Sequence, residues 1–162
     1  MSNAPNDPRL IEGGPELLDR IEPLWTELRR HHADLSPTWR ASLMGASFEK
    51  RRAGLLEKSS GGMLVLLASV VDKDIGYCVS TVNESVGEID SIFVIPTHRG
   101  GGIGHLMMTR AMEWLAEKAV TSIVVDVLSG NDAAQAFYTR YGFQPRTVRL
   151  LKNAPFANRK DS

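Results

Sequence analysis

The sequence predicts an α/β (α+β) fold with a mixed, mostly antiparallel central sheet and helices on both faces. Short β-branched apolar runs alternate with longer segments in which apolar residues recur at helical spacing. Two apolar runs are separated only by Asp72-Lys73-Asp74, which indicates a hairpin. A glycine-rich turn at residues 99–104 leads from a strand into a helix. The predicted order of elements is β-α-α-β-β-β-α-β-α-β.

The length of 162 residues suits one domain with its own core. We expect it at 9–152, with a flexible tail at 1–8 and a C-terminal tail at 153–162. Nineteen basic and nineteen acidic residues balance, so the composition favours neither nucleic acid nor an acidic membrane surface as a partner. Cys78 is the single cysteine, and the sequence has no leader or bilayer-length apolar run, which predicts a cytoplasmic protein.

The N-terminal third is predicted as one strand and two helices. The strand at 9–12 ends at a Gly-Gly pair, and Pro15 begins a helix that runs to about His32. Pro23 lies inside this helix and either kinks it or begins a second segment. The next helix is predicted from Trp39 to Leu56.

The rest of the chain is predicted as three strands, a helix, a strand, a helix and a final strand. They cover, in that order, Met63–Val71, Ile75–Asn83, Val86–Ile95, Gly102–Ala119, Ile123–Leu128, a helix beginning at Asn131, and Phe143–Leu151.

The glycine-rich turn has the features of an anion-binding site. Glycines let the backbone approach a ligand closely, and the amides at a helix start attract phosphate. Two other phosphate motifs fit worse. A nucleotide-hydrolase loop needs Lys-Ser/Thr after its last glycine, where this chain has His105-Leu106, and a dinucleotide fingerprint needs a glycine where His105 stands.

Two motifs together resemble one family. The stretch Arg99-Gly-Gly-Gly-Ile-Gly104 fits the pattern [Q/R]-x-x-G-x-[G/A], and Asn131 to Phe143 fits N-x-x-A-x-x-F-Y-x-x-x-G-F. Both patterns are typical of the GNAT superfamily of acyl-CoA-dependent N-acyltransferases, and the chain is similar to that superfamily over roughly residues 62–152.

The resemblance implies acetyl-CoA as co-substrate, with its pyrophosphate over the glycine turn and its pantetheine arm along the strand before that turn. No metal is expected. The residues implied to bind acetyl-CoA are Phe93, Val94, Ile95, Arg99, Gly100, Gly101, Gly102, Gly104, His105, Asn131 and Tyr138. Asn131 has a second role open to it, as the N-cap of the helix that it begins.

The resemblance also implies two catalytic residues. Tyr138 lies where the family has a phenol that protonates the leaving thiolate, although a half-buried packing tyrosine is the alternative. Glu88 lies where several members have a carboxylate that accepts the amine proton, although a surface carboxylate is equally consistent. Glu88 and Asp90 are two apart on one strand and should project from the same face.

The implied activity is transfer of an acetyl group from acetyl-CoA to a primary amine of a small molecule by direct attack. A protein Lys or N-terminal acetyltransferase and a non-catalytic acyl-CoA sensor are the alternatives. The resemblance makes a homodimer one possible assembly, because dimers are common in the superfamily, although the sequence shows no interface. The first two helices would form the acceptor pocket. There, His31, His32, Asp34 and Trp39 are either polar residues at a helix end or groups that contact the acceptor.

Overall fold

The fold is organised by a five-stranded mixed sheet. The computed structural model describes residues 7–153. Its strands lie side by side in chain order, with the first four antiparallel and the fifth parallel to the fourth. They are β1 (Arg9–Gly13), β2 (Gly62–Val70), β3 (Lys73–Asn83), β4 (Val86–Val94) and β5 (Ser122–Val124). The mixed, mostly antiparallel sheet is confirmed, whereas the predicted tails lie almost entirely outside the described residues.

Helices cover both faces of this sheet, as predicted. The helices are α1 (Leu18–Leu35), α2 (Arg40–Gly45), α3 (Phe48–Glu57), α4 (Ile103–Glu117) and α5 (Asp132–Thr139). Short 3₁₀ turns precede three of them, at Pro15–Leu17, Pro37–Trp39 and Pro96–His98.

Successive side chains of β2 enter two different cores, because side chains alternate between the faces of a strand. Val65 and Leu67 pack with α1, while Leu64 and Leu66 pack with α4. All four are at least 97% buried, and burial of such side chains is the main favourable contribution to folding. A strand apolar on both faces therefore fixes where the two helical layers lie.

The single helix predicted from Trp39 to Leu56 is wrong, because the chain breaks between α2 and α3. Ala46 is extended, and the Ser47 side chain caps α3 by accepting a hydrogen bond from the Lys50 amide at 3.2 Å. Arg29 of α1 donates from Nε to the Leu43 carbonyl at 2.7 Å, which satisfies one of the free carbonyls at the end of α2. Pro23, in contrast, lies within α1 without ending it.

The hairpin between β2 and β3 is confirmed, but its turn comes earlier than predicted. The two residues with positive φ are Val71 and Asp72, at 47° and 61°, and β3 already begins at Lys73. Positive φ at two successive residues matches the right-handed twist of a hairpin.

The final strand predicted at Phe143–Leu151 is wrong, and the strand predicted at Ile123–Leu128 is shortened to β5. Residues 143–151 pair with no strand in the described part of the chain. Val148 and Leu150 are 83% and 91% exposed, so their apolar side chains gain nothing from burial there. β-branched composition alone does not make a strand without a partner edge.

A tight contact between β3 and its neighbours generates the first prediction. A Cβ on Gly76 would lie 2.9 Å from the Phe93 carbonyl oxygen and 3.3 Å from Met107 Cε, so Gly76→Ala should overpack this site. We expect a loss of about 1–3 kcal/mol in the free energy of unfolding, measured by urea denaturation.

Gly54→Ala is the matched control. Gly54 lies in the exposed part of α3 with no atom within 4 Å of the new Cβ, and alanine favours a helix over glycine by up to about 1 kcal/mol. An equal effect of both substitutions on stability would contradict the tight packing at Gly76.

Candidate active site

A cleft opens where β4 and β5 stop pairing. The two strands are hydrogen-bonded only from Val86–Ser122 to Glu88–Val124, whereas β4 continues to Val94. Beyond Glu88, β4 pairs with β3 on one side, through Gly76, Tyr77, Cys78, Val79 and Ser80. Its other edge faces the cleft, and its backbone groups on that edge can bind an extended ligand.

The cleft has a volume of about 750 Å³ and lies between four elements. It is bounded by the end of α1, by residues 90–94 of β4, by the turn before α4, and by the chain from Asp126 through α5. Nine of the predicted acetyl-CoA residues line it, namely Phe93, Val94, Arg99, Gly100, Gly102, Gly104, His105, Asn131 and Tyr138. Ile95 and Gly101 do not line it, although both belong to the same turn.

The glycine turn forms one end of the cleft. Gly100 and Gly102 have φ of +81° and +80°, a left-handed conformation that glycine adopts without a steric penalty. A Cβ on either would meet no atom within 4 Å, so backbone conformation and not internal crowding requires glycine here. Gly102 is also the N-cap of α4 and carries no side chain that could compete for the first amides of that helix.

The side chains around this turn are basic and held in place by local contacts. Arg99 donates from Nε to the Val94 carbonyl at 2.8 Å, and its guanidinium lies 5.4 Å from the Phe93 ring centroid. His105 Nδ1 lies 2.6 Å from the Tyr141 hydroxyl. Arg140, which sequence analysis missed, also lines the cleft and stacks 5.3 Å from Phe137. This end of the cleft is therefore suited to an anion.

Helix α5 places Tyr138 in the wall of the same cleft. Asn131 Oδ1 accepts a hydrogen bond from the Ala134 amide at 3.2 Å, so its N-cap role is confirmed. Tyr138 lies two turns further on, is 7% exposed, and packs against Phe137 and Phe143. Its hydroxyl has no hydrogen-bond partner among residues 7–153. Burial raises the pKa of Tyr138 above its ordinary value, so the phenol keeps its proton at neutral pH.

Glu88 lies apart from this cleft. It lines a smaller pocket with Lys58 and Thr81, and its Oε2 pairs with Lys58 Nζ at 2.9 Å. Asp90 contacts the same ammonium, so the prediction that the two carboxylates share a face is confirmed. The structure therefore does not bring Glu88 and Tyr138 together, and its role as a base stays a prediction.

Asp90 is the extra residue of a β-bulge. Val79 pairs with Ser91 and Ser80 pairs with Ile89, which leaves Asp90 unpaired in the ladder. Its side chain is fully buried and accepts a hydrogen bond from Thr81 Oγ1 at 2.7 Å in addition to the contact with Lys58. Burial opposes the charge of Lys58, but its hydrogen bonds to Asp90 and Glu88 outweigh that effect and raise its pKa.

Cys78 is fully buried in the core between the sheet and α4. Burial raises the pKa of its thiol to about 12, so the reactive thiolate is scarce at neutral pH. Cys78 therefore acts as a small buried hydrophobic side chain.

Residues that carried no motif complete the cleft. Leu28, His31 and His32 line it from α1, and Asp126 lines it from the loop after β5. Asp34 and Trp39, which lie in the same N-terminal stretch, do not line the cleft. Asp34 instead pairs with Arg40 at 2.6 Å near the surface. Asp126 could have been found only from the alternation of buried and exposed residues along β5. That strand ends at Val124, before Asp126.

The acetyltransferase (GNAT) family model matches residues 24–143, which is most of the chain. The chain belongs to this family. The glycine turn and the α5 motif both lie within the matched residues.

Three similar proteins illustrate the range of the GNAT family. A mycothiol acetyltransferase of Amycolatopsis mediterranei is 37% identical over 37% of this chain and 20% of its own length. An aminoglycoside N(6')-acetyltransferase type 1 of Acinetobacter haemolyticus is 25% identical over 74% of this chain and 82% of its own length. The PaiA N-acetyltransferase of Thermoplasma acidophilum, solved in complex with coenzyme A, has a TM-score of 0.67 at 18% identity and covers 88% of this chain and 93% of that one.

The last of these similarities shows the shared GNAT fold. Coverage of the curated relatives is partial, because the chain spans only 20% to 55% of the length of three of them.

Among residues 7–153, none of the helices is both long and apolar enough to cross a bilayer. No three His, Cys, Asp or Glu side chains in that range come together as a metal site would need.

The buried carboxylate of Asp90 generates a stability prediction. Lys58→Met removes the ammonium that contacts it and leaves an uncompensated charge, which typically costs about 3–5 kcal/mol. Arg51 remains 4.0 Å from Asp90, so we expect a loss near the lower value, about 3 kcal/mol. Thermal and urea unfolding at pH 7 measure it.

Arg9→Met is the control for this prediction. Arg9 pairs with Asp72 at 3.7 Å, and the two side chains are 68% and 95% exposed, so we expect an effect below about 1 kcal/mol. Equal losses in the two variants would show that the Lys58 cluster contributes no more than a surface pair.

Proposed function

We propose that this protein transfers an acetyl group from acetyl-CoA to a primary amine of a small molecule by direct attack in a ternary complex. The observation that carries the proposal is the cleft between β4 and β5, which joins the glycine turn to Tyr138. Membership of the GNAT family supports acyl-CoA as the donor. Relatives named as mycothiol and aminoglycoside acetyltransferases support a small amine as the acceptor.

The cleft residues divide into two ends with different chemistry. Arg99, Arg140 and the first amides of α4 would bind the phosphates of acetyl-CoA. The edge of β4 around Phe93 and Val94, where Arg99 Nε already donates to the Val94 carbonyl, would pair with the amides of the pantetheine arm. At the other end, Leu28, His31, His32 and Asp126 would surround the acceptor amine.

Tyr138 is suited to act as the general acid. In the proposed reaction the amine nitrogen forms a bond to the thioester carbonyl carbon and loses one proton to a base, the carbon–sulfur bond breaks, and the sulfur accepts the phenol proton. Burial keeps that phenol protonated, and its hydroxyl is not committed to another residue of the described chain. A covalent route through Cys78 is disfavoured, because that thiol is fully buried and its pKa is raised to about 12.

The primary test is acetyl-CoA-dependent thiol release across spermidine, neamine, single amino acids, aryl amines and alanine-ended peptides, each against an amine-free blank. We expect release with at least one small amine. Release with peptides alone would instead favour a protein acceptor. If no amine stimulates thiol release, while acetyl-CoA still raises the melting temperature by mass action, an acyl-CoA sensor would be favoured.

Tyr138→Phe tests the general acid. The substitution keeps the ring packing against Phe137 and Phe143 but removes the proton, so we expect kcat to fall by about 100-fold or more with little change in melting temperature. Tyr141→Phe removes a neighbouring hydroxyl that is bonded to His105, and it should retain most of kcat. Unchanged turnover in Tyr138→Phe would remove the assignment.

Gly102→Ala tests the glycine turn. Alanine at φ +80° costs about 1 kcal/mol and displaces the first amides of α4, so we expect weaker coenzyme A binding by calorimetry. Gly142→Ala introduces the same strain at φ +86° just beyond α5, with no atom within 4 Å of its Cβ. Equal coenzyme A affinities in the two variants would argue against binding at the turn.

A further inference from the structure

Two histidines at the C-terminal end of α1 line the same cleft as Tyr138. His31 and His32 are both half-buried, and their ring centroids lie 6.1 Å apart. This end of α1 adjoins the loop before α5, since a Cβ on Gly130 would lie 3.5 Å from the Leu35 carbonyl oxygen. The packing places an imidazole in the part of the cleft that the acceptor amine would enter.

His32 is free to accept a proton. Among residues 7–153 its ring makes no hydrogen bond or ion pair. The two carboxylates of β4 are committed elsewhere, because Glu88 pairs with Lys58 outside the cleft and the buried Asp90 contacts Lys58 and Thr81. Asp126 also lines the cleft, but it is exposed, and an exposed carboxylate is a weak base toward an ammonium.

The surroundings of His32 favour its neutral form. Burial lowers its pKa below the ordinary value, and the positive charge of His31 lowers it further. The other titratable groups that line the same cleft are Asp90 on β4, Asp126 after β5, and Tyr138, Arg140 and Tyr141 in or just after α5. His98, Arg99 and His105 line it around the glycine turn. Asp90 is compensated by Lys58, and Tyr138 is neutral. A general base must be in its neutral form to accept a proton, and the lowered pKa of His32 favours that form.

We propose that His32 is the general base that receives the proton of the acceptor amine. The inference rests on the proposed function. As the amine nitrogen bonds to the thioester carbonyl carbon, its surplus proton passes to a ring nitrogen of His32, while the departing sulfur takes the proton of Tyr138. His31 also lines this end of the cleft, and through its charge it keeps His32 neutral.

The test is the pH dependence of kcat/KM, measured as thiol release with saturating acetyl-CoA and the amine from the panel that reacts fastest. The wild-type protein should show an acid-side limb with its midpoint below the ordinary histidine pKa of about 6.5. His32→Gln should remove this limb and lower kcat by about 100-fold or more, while acetyl-CoA still raises the melting temperature.

His31→Gln is the companion variant. It removes the positive charge that lowers the pKa of His32, so the acid-side limb should move to higher pH. A merely structural histidine would not produce such a shift. The limb that belongs to the amine itself should stay where it is in every variant. NMR titration of the imidazole signals in the wild-type protein and in His31→Gln should give His32 midpoints that match the kinetic limbs, which keeps the test independent of how His32→Gln folds.

Three results would overturn the proposal. The limb and kcat could survive His32→Gln in a protein that is otherwise active, which removes the role of His32 and leaves the acetyltransferase intact. The limb could disappear in Glu88→Gln or Asp126→Asn instead, which assigns the base to that carboxylate. A wild-type protein that binds acetyl-CoA but releases no thiol with any amine between pH 5 and 9 would overturn the acetyltransferase and the base together.

Discussion

The early end of pairing between β4 and β5 is the constraint on which the site depends. Three residue pairs join β4 and β5, and the pairing of the two strands ends at Glu88 and Val124. A sheet edge in that position has unpaired amides and carbonyls that need a partner, because a buried backbone group without a hydrogen bond is costly. The separation thus turns an interior edge of the sheet into a binding surface, with the glycine turn at one end and α5 along its side.

The bulge at Asp90 occurs where β4 and β5 stop pairing, and the Asp90 carboxylate has a structural role there. The extra residue turns its side chain into a polar cluster with Lys58 and Thr81, away from solvent. Arg51 of α3 also reaches the Asp90 carbonyl at 3.1 Å, so the cluster joins the N-terminal helices to β4. Because Asp90 makes these contacts, it is poorly placed to exchange protons with a substrate. Removing its charge would leave Lys58 without its buried counter-ion.

The two helical layers contribute differently to the cleft. The layer formed by α4 and α5 contributes backbone amides at the start of α4 and the side-chain cap of Asn131. The layer formed by α1 and α3 contributes side chains without any local signature, such as Leu28 and His32. The glycine turn and the α5 cap could therefore be found from a sequence motif, whereas the residues of α1 in the cleft could not.

The sequence by itself determined the sheet, the hairpin, the glycine turn and the cap of α5. These features depend on local physics: period-two burial, positive φ at Gly100 and Gly102, and an amide oxygen that caps the helix start. It did not reveal the break at Ala46, because a single cap at Ser47 and a contact from Arg29 decide it. It also misassigned residues 143–151, whose strand-like composition finds no partner edge.

Only the tertiary structure decided which ionisable groups lie in the cleft. In the sequence Glu88 is a candidate base on its strand. In the fold it pairs with Lys58 at the end of α3 and lies outside the cleft. His32 looks like a polar residue at a helix end, but the packing of α1 against the loop before α5 leaves it half-buried in the cleft that Tyr138 also lines. The residues that bury a side chain, and the charges beside it, lie far apart in the chain. The pKa of that side chain therefore follows from the fold and not from its sequence context.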